Sequence, residues 1–216
     1  VATLAPGSYT PIVRGVNGGT GIGIVEVFEL DTQARLINIS TRGFVGTVHD
    51  VMIGGFVIAG DTPKTVVIRG RGPSLTPFGV NGALLDPTMD LTRVTGELLD
   101  TNDNFQDHPA IGGVPAELIP ADPAESVIMT TLEPGNYTAI LRGVGETTGI
   151  AIVEVFEVDE GVGPTSQAFF TEHVADQVIL DRCQICHRVG RPAQGTALRY
   201  TTGVGHEVAN YETLRS

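Results

Sequence analysis

Two stretches of this chain are near-copies of each other, set 128 residues apart. Leu4-Ala5-Pro6-Gly7-Ser8-Tyr9-Thr10 returns as Leu132-Glu133-Pro134-Gly135-Asn136-Tyr137-Thr138. Arg14-Gly15-Val16 returns as Arg142-Gly143-Val144, and Thr20-Gly21-Ile22 as Thr148-Gly149-Ile150. Ile24-Val25-Glu26-Val27-Phe28-Glu29 returns as Ile152-Val153-Glu154-Val155-Phe156-Glu157. The offset holds throughout (132 − 4 = 142 − 14 = 152 − 24 = 128). A period of this length is that of a whole domain rather than of a solenoid repeat. Residues 1–31 therefore read as the tail of one unit and 32–159 as a complete unit whose own tail repeats the first segment. Either the first strands pack on the complete unit, or their missing part lies upstream in a longer parent protein, or they complete a sheet in a neighbouring repeat or subunit; the expectation is the longer parent.

Within 32–159 the apolar runs are short and separated by turn residues. The chain has 28 Gly and 13 Pro, which punctuate it too often for long helices. Strands are predicted at Arg35–Thr41, Met52–Ala59, Lys64–Gly70, Thr88–Val94, Glu97–Asp100, Ser126–Leu132, Tyr137–Val144 and Ile150–Val158. Thr88–Val94 and Glu97–Asp100 read as an outer hairpin. Gly54-Gly55 inside an apolar strand signals a bulge or a close backbone approach. Pro134-Gly135 marks a turn. Asn102–Ala124, with four prolines and little periodicity, reads as a long surface loop. About eight strands without a long helix suit an antiparallel, jelly-roll-like β-sandwich.

From Asp159 the pattern changes. Gly161, Gly163 and Pro164 make 160–167 a linker. Phe170, Val174 and Val178 then recur every four residues, with Ala175 and Ile179 beside them and Glu172, Asp176 and Asp181 between, the signature of an amphipathic helix. That helix runs into Cys183-Gln184-Ile185-Cys186-His187, which holds the only two cysteines of the chain. The spacing is that of a c-type haem attachment site. Two thiols form thioethers with the haem vinyl groups, and the adjacent imidazole ligates the iron. A zinc site would need further ligands, and a redox disulfide would prefer a thioredoxin-like setting. His206, in Gly203-Val204-Gly205-His206, is the candidate for the second axial position, because Met52, Met89 and Met129 all precede the motif. A bis-His iron is biased toward a low potential.

Two other features bear on chemistry. Asp100, Asn102 and Asp103, followed by Asn104 and Asp107, gather oxygen donors at a strand end and are candidate calcium ligands. An EF-hand is excluded, because Phe105 stands where that loop needs glycine. The run from Gly15 to Gly23 leads into a strand rather than a helix, so it reads as a hairpin turn and not as a dinucleotide loop. Gly70-Arg71-Gly72-Pro73-Ser74 lacks the lysine of a phosphate-binding loop. Formal net charge is −12, which disfavours nucleic acid as a partner. No apolar run reaches the length of a membrane-spanning helix. An export signal is expected to lie ahead of Val1 or to have been removed.

Several motifs together carry a family resemblance. These are Arg35-Leu36-Ile37-Asn38-Ile39-Ser40-Thr41-Arg42-Gly43, Gly54-Gly55-Phe56-Val57-Ile58-Ala59-Gly60, Val67-Ile68-Arg69-Gly70-Arg71-Gly72-Pro73-Ser74-Leu75 and the closing Pro-Gly-Asn-Tyr-Thr. With them, residues 1–159 resemble tandem β-sandwich repeats of large secreted bacterial surface proteins, and more distantly the pre-peptidase C-terminal type of jelly roll. The stretch 168–216 resembles the start of a c-type cytochrome domain. These resemblances imply a non-catalytic, exported protein in the periplasm, at the cell surface or outside the cell. The expected function is electron transfer by haem c to a redox partner protein, with the haem carried on sandwich repeats. The alternative is a structural or adhesive surface protein whose sandwich binds carbohydrate, calcium or neighbouring subunits.

Overall fold

The computed structural model describes residues 1–30 and 36–158, which belong to two separate bodies and are taken one at a time. Cys183, Cys186, His187, His206 and the expected helix before them lie outside the described residues.

Residues 36–158 form two four-stranded antiparallel sheets. The strands are β1 (Asn38–Val45), β2 (Met52–Ile58), β3 (Lys64–Arg71), β4 (Pro87–Arg93), β5 (Leu98–Asn102), β6 (Ser126–Leu132), β7 (Gly135–Gly143) and β8 (Gly149–Glu157). One sheet runs β1-β8-β3-β6 and the other β2-β7-β4-β5. This is the wiring of an eight-stranded jelly roll. Only β4 and β5 are consecutive in sequence and paired with each other. All the other consecutive strands cross between sheets, so nearly all pairing is long-range.

The sandwich closes because one face of each strand is apolar at period two. β7 turns Tyr137, Ala139 and Leu141 inward, and β8 turns Ala151, Val153 and Val155 to meet them. Val66 and Ile68 of β3, Met89 and Leu91 of β4, and Ile128 and Leu132 of β6 complete the layer. Two glycines set how closely the sheets approach. A Cβ on Gly54 would fall 2.6 Å from Val153 Cγ1, and one on Gly70 would fall 2.3 Å from Leu141 Cδ1. The Gly54-Gly55 signal is thus a close approach, with β2 paired regularly to β7 across it.

β3 is buried on both faces. Its outward Val67 joins Val127 and Val114, with Phe105, Ile111, Leu118, Met129 and Val158 packed around them. The stretch after β5 supplies much of this second core through three short 3-10 turns, Phe105–Asp107, Ile111–Gly113 and Ala116–Leu118. Asn102–Ala124 is therefore not the plain surface loop expected. It covers the outer face of the β3–β6 half of its sheet, and its lack of periodicity reflects irregular backbone over a real apolar contact.

Residues 1–30 contain no strand, and their one regular feature is a 3-10 turn at Val16–Gly18. The run Gly15–Gly23 was expected to be a hairpin turn. Its counterpart in the complete unit, Val144–Glu146, links β7 of one sheet to β8 of the other. It is a corner between sheets, which sequence spacing alone does not separate from a hairpin.

Candidate functional site

Charged side chains gather at the end of β3. Arg69 and Arg71 project from the outer face of β3 and Glu154 from the neighbouring β8, where Arg69 and Glu154 are register partners. Arg69 Nη2 lies 2.8 Å from Glu154 Oε2, and Arg71 Nη1 lies 3.7 Å from the same oxygen. The Arg69 guanidinium also stacks 4.9 Å from the Phe156 ring centroid. Burial pushes Arg69 below the usual arginine range; Glu154 opposes this shift and Arg71 adds to it.

Glu125, just ahead of β6, is fully buried. Its Oε1 accepts the backbone N–H groups of Gly72 (2.9 Å) and Ser74 (3.0 Å). Its Oε2 accepts no hydrogen bond and lies 3.9 Å from Arg71 Nε. Arg71 donates through Nε and Nη2 to Ser74 Oγ at 3.1 and 2.9 Å. The backbone donors after Gly70 could have cradled an anion from solution, but the protein's own carboxylate fills that place. The cluster ties the 3-10 helix Pro73–Phe78 to β3, β6 and β8 and leaves the Ser74 hydroxyl committed. Nothing in Arg69-Gly70-Arg71-Gly72-Pro73-Ser74 identified Glu125 as its partner. The available signal was two arginines interrupting an apolar strand, which need buried acids.

The oxygen-rich stretch is also largely spent on the chain itself. Asn102 Oδ1 accepts the Val127 N–H (2.8 Å), and its Nδ2 donates to the Asn104 carbonyl (3.0 Å). Asp100 Oδ1 accepts the Thr101 N–H (2.8 Å), and Oδ2 sits 3.1 Å from His108 Nε2. The other ring nitrogen, His108 Nδ1, accepts the Ala110 N–H (3.2 Å). These partners place the histidine proton on Nε2 and leave no free nitrogen to act as a base. Asp103 Oδ2 receives only a 3.4 Å contact from Asn104 Nδ2. Burial, and then the nearby Asp86 and Asp107, raise its carboxyl above the usual range. Among the described residues, no three His, Cys, Asp or Glu side chains converge to hold a metal ion. The structure thus pairs Asp100 with His108 and commits Asn102 to Val127 and Asn104, while Asp103 stands beside other acids.

A groove runs between the β1–β2 loop and the β7–β8 corner, lined by Gly46, Thr47, Val48, Val51, Arg142, Gly143 and Glu146. Val48 takes φ +57°, a left-handed conformation that is strained for a β-branched residue. Arg142, the groove's cation, is held by Asp90 Oδ2 at 2.5 Å.

No helix among the described residues is long and apolar enough to cross a membrane. No family model matches the chain, and no curated protein does. Among solved structures, the chain is similar to the pre-peptidase C-terminal domain of a collagenase from Bacillus anthracis. The two share 13% identity with a TM-score of 0.36, over 55% of this chain and 89% of that one. The fold assignment rests on strand order and register and not on this likeness.

Proposed function

We propose that the chain is part of an exported surface scaffold in which sandwich units of the 36–158 type are structural and pack against further units. The observation that carries this reading is the register-true repeat of Leu4–Glu29 at Leu132–Glu157, because the second copy forms two central strands of a complete sandwich. The internal use of the charged cluster by the backbone around Gly72 and Ser74 suits a structural role. Antibody raised to 36–158 is expected to label intact cells of the parent organism. Labelling seen only after the cells are opened would overturn the reading.

The CxxCH pentapeptide favours a second function carried on the scaffold, electron transfer to a redox partner protein. Haem c would be held through thioethers to Cys183 and Cys186, with His187 on the iron and His206 the candidate opposite it. When bound, the haem supplies one-electron exchange. The two thiols keep it attached outside the cell, where a dissociated haem is lost by dilution. Chain matured with a haem-attachment system is expected to show a haem-stained band on a denaturing gel. Cys183→Ser together with Cys186→Ser should abolish that band. An unstained wild-type chain would remove this second function and leave the scaffold reading in place. Asp100, Asn102 and Asp103 remain a calcium proposal of narrower scope, tested by calcium titration of the unfolding temperature.

A further inference from the structure

We propose that residues 4–29 are the seventh and eighth strands of a second jelly roll, whose first six strands precede them in the same polypeptide. The inference rests on the scaffold reading and names the partner its N-terminal segment takes. The partner is a six-stranded sandwich half built like 36–131.

The complete unit shows what covers such a segment. Leu141 of β7 sits opposite Met52 of β2 and Met89 of β4. Val153 of β8 sits opposite Thr41 of β1 and Gly70 of β3. β7 and β8 are thus each flanked on both sides, one in each sheet. The matching apolar positions of the first segment are exposed. Val13 is 64% exposed where Leu141 is fully buried, and Val25 is 46% exposed where Val153 is 2%. Tyr9 is 52% exposed where Tyr137 is 2%, and Leu4 is 56% exposed where Leu132 is 5%. Apolar side chains are therefore held at the alternate positions that face a core in the copy.

The segment also already holds the bends that the copy needs. Tyr9 donates its hydroxyl to the Ala5 carbonyl at 2.8 Å, as Tyr137 does to Glu133 at 2.6 Å. Gly19 N–H closes the 3-10 turn on Val16 at 3.1 Å, as Thr147 N–H does on Val144 at 3.3 Å. The left-handed pair Asn17 (φ 53°) and Gly18 (φ 74°) matches Gly145 and Glu146, in that order, both at φ 61°. A Cβ on Gly15 would strike the Gly19 carbonyl, as one on Gly143 would strike that of Thr147. So the corner between the two sheets is formed while the strands it joins are not. A two-stranded segment is marginal in water without flanking strands.

The tyrosine contact argues for a partner in the same polypeptide. Its acceptor, residue 5 here and 133 in the copy, belongs to the turn that joins β6 to β7, and Leu4 matches the last residue of β6. A strand pair built to enter another molecule has no need of the turn that connects it to its own β6. A second copy of this chain is also a poor host, because its slots are filled by its own β7 and β8.

The test joins a copy of residues 36–131 directly ahead of Leu4 in the full chain, which restores the natural junction (131 to 132, hence 131 to 4). Amide hydrogen exchange is read on 4–29 in the parent chain and in the graft. In the graft, 4–29 should gain protection comparable to 132–157, and a second cooperative melting transition should appear. Val25→Asp in the graft should remove both and leave the transition of 36–158 where it was. Unprotected 4–29 in a graft whose 36–158 still melts as in the parent overturns the proposal. So does concentration-dependent self-association of the parent chain with 4–29 protected, which would assign the strands to a second copy. Neither result touches the cell-labelling test of the scaffold reading.

Discussion

Glu125 has no contact with solvent, yet it serves two backbone donors and one guanidinium. Removing a buried acceptor leaves its donors unpaired, and that cost outweighs the modest net gain of forming the bonds. Glu125→Ala is expected to lower the stability of the sandwich by about 3–5 kcal/mol. Glu125→Gln keeps an acceptor oxygen for Gly72 and Ser74 and should cost roughly 1–3 kcal/mol. Denaturant unfolding of both variants checks the ranking, and an alanine variant as stable as wild type would contradict the assigned role. Asp103 presents the opposite sign. Its folded carboxyl is shifted upward by burial and by Asp86 and Asp107, so the folded state binds its proton more tightly than the unfolded chain does. The penalty is therefore in force above the folded-state value. It is relieved as pH falls through that value toward the ordinary aspartate range. Asp103→Asn should stabilise the protein slightly at neutral pH, with the difference fading below about pH 4. Melting curves across pH measure this, and a difference that grows on acidification would refute it.

The strands differ in how much of their extent is local. β2, β3 and β6 fall within a residue of where apolar alternation placed them, because both of their ends meet turn residues. β1 does not: alternation suggested Arg35–Thr41, and the strand is Asn38–Val45. β1 is an edge strand paired only with β8, so its limits follow that partner, from Asn38 opposite Phe156 to Val45 opposite Gly149. The stretch after β5 was legible as irregular but not as a lid, because Val114, Ile111 and Phe105 reach the second core from 3-10 turns with no fixed period. The two cores should separate in mutants. Ile68→Ala, in the middle of the main core, is expected to cost about 2–5 kcal/mol globally. Val114→Ala removes less and sits under an irregular segment, so it should mainly increase amide exchange in 104–124. Hydrogen exchange mapped by segment distinguishes the two, and uniform loss of protection in Val114→Ala would show a single core.

At the scale of the molecule, one local hairpin and five long-range strand pairings set how the sandwich must form. Loops have to close before those pairings return any stability, so folding should be slow for the size of the unit, in the millisecond-to-second range. Stopped-flow refolding measures this, and a microsecond phase carrying the full amplitude would be inconsistent with the topology. The sequence alone carried the repeat and its register, the positions of most strands and the all-β class of residues 36–158. It did so because turn chemistry and period-two alternation are properties of neighbouring residues. The corner at Val16–Gly18 belongs to the same set, since it holds its shape without flanking strands. Only the tertiary structure decided which strands share a sheet, and that a turn expected to close a hairpin instead carries the chain from one sheet to the other. Only it paired Glu125 with the backbone after Gly70, and only it turned the proline-rich stretch into a cover. Each of these depends on residues far apart in the chain being brought together, and the free energy that selects them is burial shared between both partners.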